Sequence, residues 1–592
     1  VNSNAFTNQN TSAYGAAASA GATAAGQTNA TAIGQGASAN AANATALGQG
    51  STASGANASA LGQSSIASAI GTTAAGSFSK AFGSASTANG SQSFALGNSS
   101  VAVGENTEAV GTGSTALGGG AAAGGVTNNP GSVAPNFTNA YTTAVGSGAQ
   151  AGTTGAGQTN ATAVGTGAAA NAANASALGQ GSTASGNFST ATGQGSTASG
   201  AGSTATGQGS TASGDGGSTA TGIGSTASGY GSVATGSAST ASGYGSVATG
   251  FESTAAGNSS VVLGAHASGG GDNSVAIGGN ANFGVPATSA SGANAVAIGN
   301  QSQANSANAT AVGYNNIVTG TGSGAFGTGN TVNGNSSYAI GDPNVLNGNN
   351  SFATGNNNTV NAPATAGAGD NVNVYGSNNT LAATASATGS NVFGGTNTVN
   401  ATNAIVVGNN NTASGANAIV IGQGSTAAQA NTIAIGQGVT TTRANQVVVG
   451  NAANTYTLPG VTSAASLAAQ SGATSFVTTD ANGNLASSGF SPGAISSLQS
   501  SVSSLQANVA ALQGSVRRAY EGSAIAMALS GSSLPDNKTY AVSANYGTFR
   551  GENGFGATGA VRINDYLVAS GGVGVGLAHG GVGGRGGLTL AW

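Results

Sequence analysis

The chain is 592 residues long, with 106 Gly, no Cys and 20 charged side chains, 8 Lys or Arg plus 12 Asp or Glu. At 3% charged and 5% aromatic it has too few bulky residues for several conventional cores and too little charge for an expanded disordered chain, which leaves a fibrous or repetitive fold. Eight basic residues and a net charge of −4 argue against nucleic acid, since each neutralised phosphate needs a Lys or Arg, and the absence of Cys removes disulfide frameworks and thiolate metal sites.

The first residues, Val1-Asn2-Ser3-Asn4, are polar and show no signal peptide, so a cytosolic chain or a mature form is expected. From there a 14-residue period governs. Thr45-Ala46-Leu47-Gly48 recurs as Ser59-Ala60-Leu61-Gly62, and the Gly column continues through Gly179, Gly193, Gly207, Gly222, Gly236, Gly250, Gly264 and Gly278, then from Gly299 to Gly355 and from Gly394 to Gly450. Breaks fall at 62–97, 118–165, 278–299 and 355–394. The stretch 118–145, with Asn128-Asn129-Pro130 and Pro135, reads as an insertion and a candidate projecting loop. Each unit holds two strand-like pieces, such as Ser51 to Gly55 and Ser274 to Gly278, with Gly, Asn and Gln at the turns. That is one rung of a parallel β-roll, and an all-β head over residues 1–450 is expected.

Strand parity assigns the faces. The consistently small face lines the coil, so Ala276 points inward while Val275 and Ile277 point out. The outward row is apolar over many rungs, at Leu47, Leu61, Ile298, Val406, Ile421, Ile435 and Val449. A stripe of that length aggregates unless something covers it. Its natural cover is the same stripe of other copies, which predicts a homo-oligomer about a central axis; the alternative is a monomer with these residues inside the coil. At Thr204-Ala205-Thr206, Thr219-Ala220-Thr221 and Val233-Ala234-Thr235 the row turns to Thr. This fits a polar part of the subunit contact or, alternatively, a Thr-ladder ice-binding or surface-structuring β-solenoid.

Residues 451–492 read as a neck or connector, with a hairpin at Asn482-Gly483 between Phe476-Val477 and Leu485. The pattern then changes to a heptad: Ile495, Leu498, Val502, Leu505, Val509, Leu512 and Val516 alternate spacings of three and four. Its phase runs on through the small residues Ala519, Ser523 and Ala526, so 493–530 is expected to be a coiled-coil stalk followed by a small-residue helix. Over 531–592, the stretches 538–549, 553–563, 566–578 and 583–592 have the length and apolar-out, small-or-polar-in alternation of outer-membrane strands. Four strands cannot close, because bacterial barrels need at least about eight. Two copies would close an eight-stranded barrel with no room for helices, whereas three copies supply twelve strands around a lumen that small-residue helices can fill. A trimer is the consistent expectation.

The succession of a 14-residue Ser-Val-Ala-Ile-Gly-type repeat (Ser274 to Gly278, Asn417 to Gly422), a heptad stalk, a small-residue helix and four strands ending in an aromatic residue resembles the YadA-like trimeric autotransporter adhesins, over essentially the whole chain. The resemblance implies a left-handed parallel β-roll head, a trimeric surface fibre and a 12-stranded anchor that helps export its own passenger. It also implies that Gly522 is the lumenal glycine and Trp592 the terminal aromatic read by the outer-membrane assembly machinery. The expected setting is the outer membrane of a Gram-negative bacterium, with the head attaching to matrix, cells or abiotic surfaces. The connector at 445–490 lacks the family's Asp-Ala-Val-Asn neck sequence.

No catalytic, metal or cofactor constellation is readable, and no enzyme is expected. His266 and His579 have no carboxylate or second His at ligand spacing, the seven Asp lack a calcium-roll period, and the Gly spacings have no βαβ context. Arg517 and Arg518 are expected at the membrane interface or the barrel mouth, with Glu521 as a candidate counter-charge.

Overall fold

The computed structural model describes residues 8–127, 135–280, 285–362, 364–365, 367–472, 474–489, 509–530 and 533–592. They form two compact units, Val1–Asn315 and Asn316–Trp592. Counted over both, the roll has about 29 turns.

In the first unit each rung contributes a three-residue strand to one sheet and a two-residue strand to a second. Thr45–Leu47, Thr52–Ala53 and Ser59–Leu61 are typical. Neighbouring rungs pair in parallel with matching register, Ala46 beside Ala60 and Leu47 beside Leu61. The central residue of each strand points inward, and the columns Ala32, Ala46, Ala60 and Ala39, Ala53, Ala67 are fully buried. With a methyl group as the usual filler, the two sheets can stand close enough for 14 residues to close a turn.

Two features of the Gly column explain its period. Gly48 has φ +135°, where a side chain is strained, and a Cβ added there would lie 2.5 Å from the carbonyl of Gly62 one rung on. Backbone curvature and rung spacing therefore both demand glycine. The expected break at 62–97 does not exist. Gly76 and Gly90 continue the column with φ of 133° and 137°, and were hidden because Ala75 and Asn89 replace the usual aliphatic residue before them. The insertion is also shorter than expected. Thr115 pairs directly with Thr143 and Ala122 with Gln150, so the extra residues lie between Gly124 and Asn139.

In the second unit the interior enlarges. Val318, Val332, Leu346, Val360, Val374, Leu381, Val392 and Val399 are fully buried, so the coil lining is not always small. Val406, expected outside, belongs to this lining: it is the second residue of Ile405–Asn409, in register with Val392 and Val420, and fully buried, while Val407 takes the outward position. At one corner a ladder of buried asparagines runs through Asn316, Asn330, Asn344, Asn358, Asn379, Asn397 and Asn411. Each Oδ1 accepts the backbone N–H and the Nδ2 of the next, as from Asn330 to Asn316 at 2.9 and 3.0 Å. Each Nδ2 from Asn330 onward also donates to a turn glycine, as Asn330 does to Gly341 at 2.6 Å. Buried amides are thus satisfied rung by rung.

After the roll come the short helix Ala464–Ala469 and the antiparallel hairpin Val477–Thr479 with Leu485–Ser487. The helix Val509–Ala528 and four antiparallel strands follow, Tyr540–Phe549, Glu552–Asn564, Leu567–Gly576 and Val582–Leu590, in sequential order. The helix lies on one face of this sheet, where Gly547 and Gly554 permit its approach: added Cβ atoms would sit 2.3 Å from the Ala524 carbonyl oxygen and 2.8 Å from Ile525 N.

Candidate functional site

Among the described residues no group of three metal-ligating side chains exists. The candidate sites are surfaces. The first is the outward row of the first sheet. Leu47 is 44% exposed, Leu61 and Ile298 stay exposed, and Val275 and Ile277 are half-buried. In the second unit Phe326, Ile340, Tyr375 and Phe393 keep the row exposed, and only its last rungs are covered. Ile421 and Ile435 are buried against Ala569, with Val449, Val561 and Ile563 packed around them. Val561 and Ile563 share a sheet face with Tyr540, Val542 and Phe555, whose side chains are exposed.

The helix divides its residues by face. Glu521, Ala524, Ile525, Ala528 and Leu529 are buried on the sheet, while Leu512, Val516, Ala519, Gly522 and Ala526 are exposed. The uncovered side therefore continues the heptad phase. A Cβ added at Gly522 would meet nothing within 4 Å in one chain. Ile495, Leu498, Val502 and Leu505 lie outside the described residues, and Val509 opens the helix. Trp592 is fully exposed at the chain end. Glu521 is no counter-charge to the arginines: its carboxylate accepts the backbone N–H groups of Ala578 at 3.0 Å and His579 at 2.8 Å, while Arg517 reaches Glu552 at 3.7 Å.

A family model for the YadA head domain repeat matches the chain at residues 25–51, 53–79, 81–100, 95–121, 156–182, 170–196, 191–216, 198–222, 216–239, 241–267, 270–282, 290–316 and 413–438. These matches fall on rungs in which glycine corners, alanine linings and outward rows recur together. The chain carries YadA head domain repeats, which support a YadA-like trimeric autotransporter adhesin. No curated protein matches it significantly. In this YadA-like chain the family model reports the rungs themselves, and not the side chains that differ between rungs.

Several such side chains escaped sequence reasoning because their partners sit one rung away. His266 Nδ1 lies 3.1 Å from Glu252, and its ring packs edge-on against Phe251. Tyr230 stacks on Tyr244 at 5.1 Å, and Tyr375 on Phe393 at 5.0 Å. On the second sheet, Lys80, Phe94 and Glu108 occupy one outward column. The readable signal was the rung offset within a column, 14 residues for all but Tyr375 and Phe393, which an insertion sets 18 apart, applied to every column and not only to glycine.

Proposed function

We propose that the chain is a homotrimeric adhesin of the Gram-negative outer membrane, divided into a head (1–450), a neck (451–492), a stalk and lumen helix (493–530) and an anchor (531–592). Three copies would close a 12-stranded barrel and export the head, with Trp592 as the assembly signal. The observation that carries this reading is the helix Val509–Ala528, buried on a four-stranded sheet along one face and uncovered along the small-residue face that continues the heptad. A sheet with two open edges is not viable in lipid, and both edges and the uncovered helix face find partners when three copies close. The head's aliphatic row would then meet the rows of the other copies. In a lone chain part of that row and part of the sheet's apolar outer face cover each other; in the assembly the first turns to its copies and the second to lipid.

The head is proposed to attach to matrix, cell or abiotic surfaces through shallow, repeated contacts, without cofactor or catalysis, and three identical heads raise avidity. Membrane extracts run on a gel without boiling should show a heat-resistant trimer, and a monomer there would sink the assembly. Adhesion of cells carrying the full chain, compared with cells lacking residues 1–450 across a panel of surfaces, tests the head's role.

One observation favours a second reading. Thr183, Thr197, Thr211, Thr226, Thr240 and Thr254 stack in register on the outer face of the second sheet, opposite the proposed subunit contact and flanked by exposed serines from Ser185 to Ser242. A flat hydroxyl array with the regular rung spacing of about 4.8 Å suits an ordered water or crystal surface. Thermal hysteresis of the purified protein would support this reading, and its absence would remove it.

A further inference from the structure

The outer face of the second sheet is uniform along much of the first unit, carrying Ser, Thr, Ala or Gln in most rungs. It changes character at three consecutive rungs, where Lys80, Phe94 and Glu108 stand in register. Lys80 is the only Lys or Arg before Arg443. Its ammonium lies 5.2 Å above the centre of the Phe94 ring, a cation–π contact. Phe94 is buried, whereas Phe78 at the neighbouring turn is half-exposed. Gln92 and Asn106 follow Phe78 in the same turn column, all three with φ between 53° and 60°.

The base of the insertion closes one end of this patch. Thr127 donates its backbone N–H to Glu108 at 2.8 Å and its hydroxyl at 2.7 Å. Thr127 is thereby held beside the charged column. The result is a cavity of about 490 Å³ lined by Phe78, Lys80, Gln92, Phe94, Asn106, Glu108 and Thr127.

We infer that this cavity is a ligand site for the terminal sugar of a carboxylate-bearing glycan, an inference that rests on the adhesin reading and names its ligand class. The volume suits one or two sugar rings, within the range of roughly 300–1,000 Å³ typical of small-ligand pockets. Phe78 offers an apolar face to the C–H side of a sugar ring, while the buried Phe94 forms the floor beneath the Lys80 ammonium. Gln92 and Asn106 supply amide donors and acceptors for hydroxyl groups, and Lys80 supplies the single positive charge for a carboxylate. A phosphate or sulfate cluster does not fit, because one ammonium faces a Glu108 carboxylate two rungs away. An acidic peptide strand would have to cross that same carboxylate. The site lies on the sheet opposite the aliphatic row, so three copies in the proposed trimer would present three such cavities outward.

The test uses the full chain on bacterial cells. Binding is measured to sialyllactose, to oligogalacturonate, to neutral lactose and to an aspartate-rich peptide. The native chain should bind at least one acidic glycan about tenfold or more tightly than lactose, the scale of one charge-assisted hydrogen bond. Sialyllactose as the preferred probe assigns the site to glycoprotein or glycolipid termini, and oligogalacturonate assigns it to acidic polysaccharide. Lys80→Met should abolish the preference, Lys80→Arg should largely keep it, and Phe78→Asn, which matches Asn106 in its turn column, should weaken both acidic and neutral sugars. The inference is overturned by acidic glycans binding no better than lactose, by unchanged binding in Lys80→Met, or by the peptide binding as tightly as the glycans. If these cells still adhere to the surface panel, the cavity assignment falls alone; if neither glycan binding nor adhesion is seen, the adhesin reading falls with it.

Discussion

At the scale of the residue, the roll works by exchanging volume between facing columns. Val262 stands in a column otherwise lined by Ala248 and Ala276 in adjacent rungs and is fully buried. Opposite it, Gly269 replaces the alanine found at Ala255 and Ala290. A Cβ at Gly269 would lie 2.6 Å from Val262 Cγ2. Valine and glycine together carry only one side-chain carbon more than two alanines, so Gly269 offsets much of the extra volume of Val262, as close packing requires. Gly269→Ala should overpack the rung and cost about 1–3 kcal/mol, and Val262→Ala should leave a small void. The double variant restores the alanine pair of the neighbouring rungs, so it should recover most of the loss, a non-additivity expected of residues in contact. Because a long repeat array does not unfold as one unit, the measurement is amide hydrogen exchange of residues 254–290 in each variant. Equal and additive effects would contradict the pairing.

At the scale of the element, a corner of the second unit depends on the asparagine ladder. Asn344 Oδ1 accepts from Asn358 N and Nδ2 at 3.1 and 2.8 Å, and Asn344 Nδ2 donates to Gly355 O at 2.7 Å. Asn344→Ala orphans a buried N–H and a buried C=O, each worth about 1–3 kcal/mol. Asn344→Ser should be much milder, because Ser425 already does both tasks further along: its Oγ donates to Gly436 O at 2.7 Å and accepts from Val439 N at 3.1 Å. Local exchange rates near 344–360 should rank native, Ser, Ala; a Ser variant as loose as Ala would refute the shared role. The connector hairpin depends instead on a charge. Asp480 accepts from the side chain and backbone of Asn484 and from Asn482 N, and these bonds, that of the Asn484 side chain first, hold its carboxyl below the ordinary range. A lowered folded-state pKa means that its stabilisation is complete above the unfolded value, about 3.9, and is lost as pH falls through the folded one. Protection of the Asn482 and Asn484 amides, corrected for intrinsic exchange, should therefore fade only in strong acid, and Asp480→Ala should lack it at neutral pH.

At the scale of the whole molecule, what was legible in the sequence was what repeats. The 14-residue glycine column, the inward alanines and the alternating C-terminal strands follow from periods of 14 and 2, and the observed strands Tyr540–Phe549 to Val582–Leu590 lie close to the expected stretches. What was not legible needed two coordinates at once. Val406 was misplaced because its neighbours Ile405 and Val407 are equally apolar, so hydrophobicity could not fix parity. The pairs Glu252–His266 and Lys80–Phe94 are local only in the folded rung stack. The two faces of the roll now permit a direct test of assembly, and the absence of cysteine from the native chain makes it clean. Leu61 lies in the outward row of the first sheet and Thr52 on the outer face of the second. In a trimer closed on the aliphatic row, three Leu61 side chains converge near the axis while three Thr52 side chains point away from it. Leu61→Cys should therefore form disulfide-linked species on mild oxidation of whole cells, and Thr52→Cys at the same expression level should stay monomeric on a denaturing gel. Disulfide bridges formed at Cβ separations of about 3.5–4.5 Å, so the crosslink reports contact and not mere proximity. Crosslinking through Thr52→Cys alone would turn the roll around, placing the second sheet at the axis and the Lys80 cavity inside the assembly.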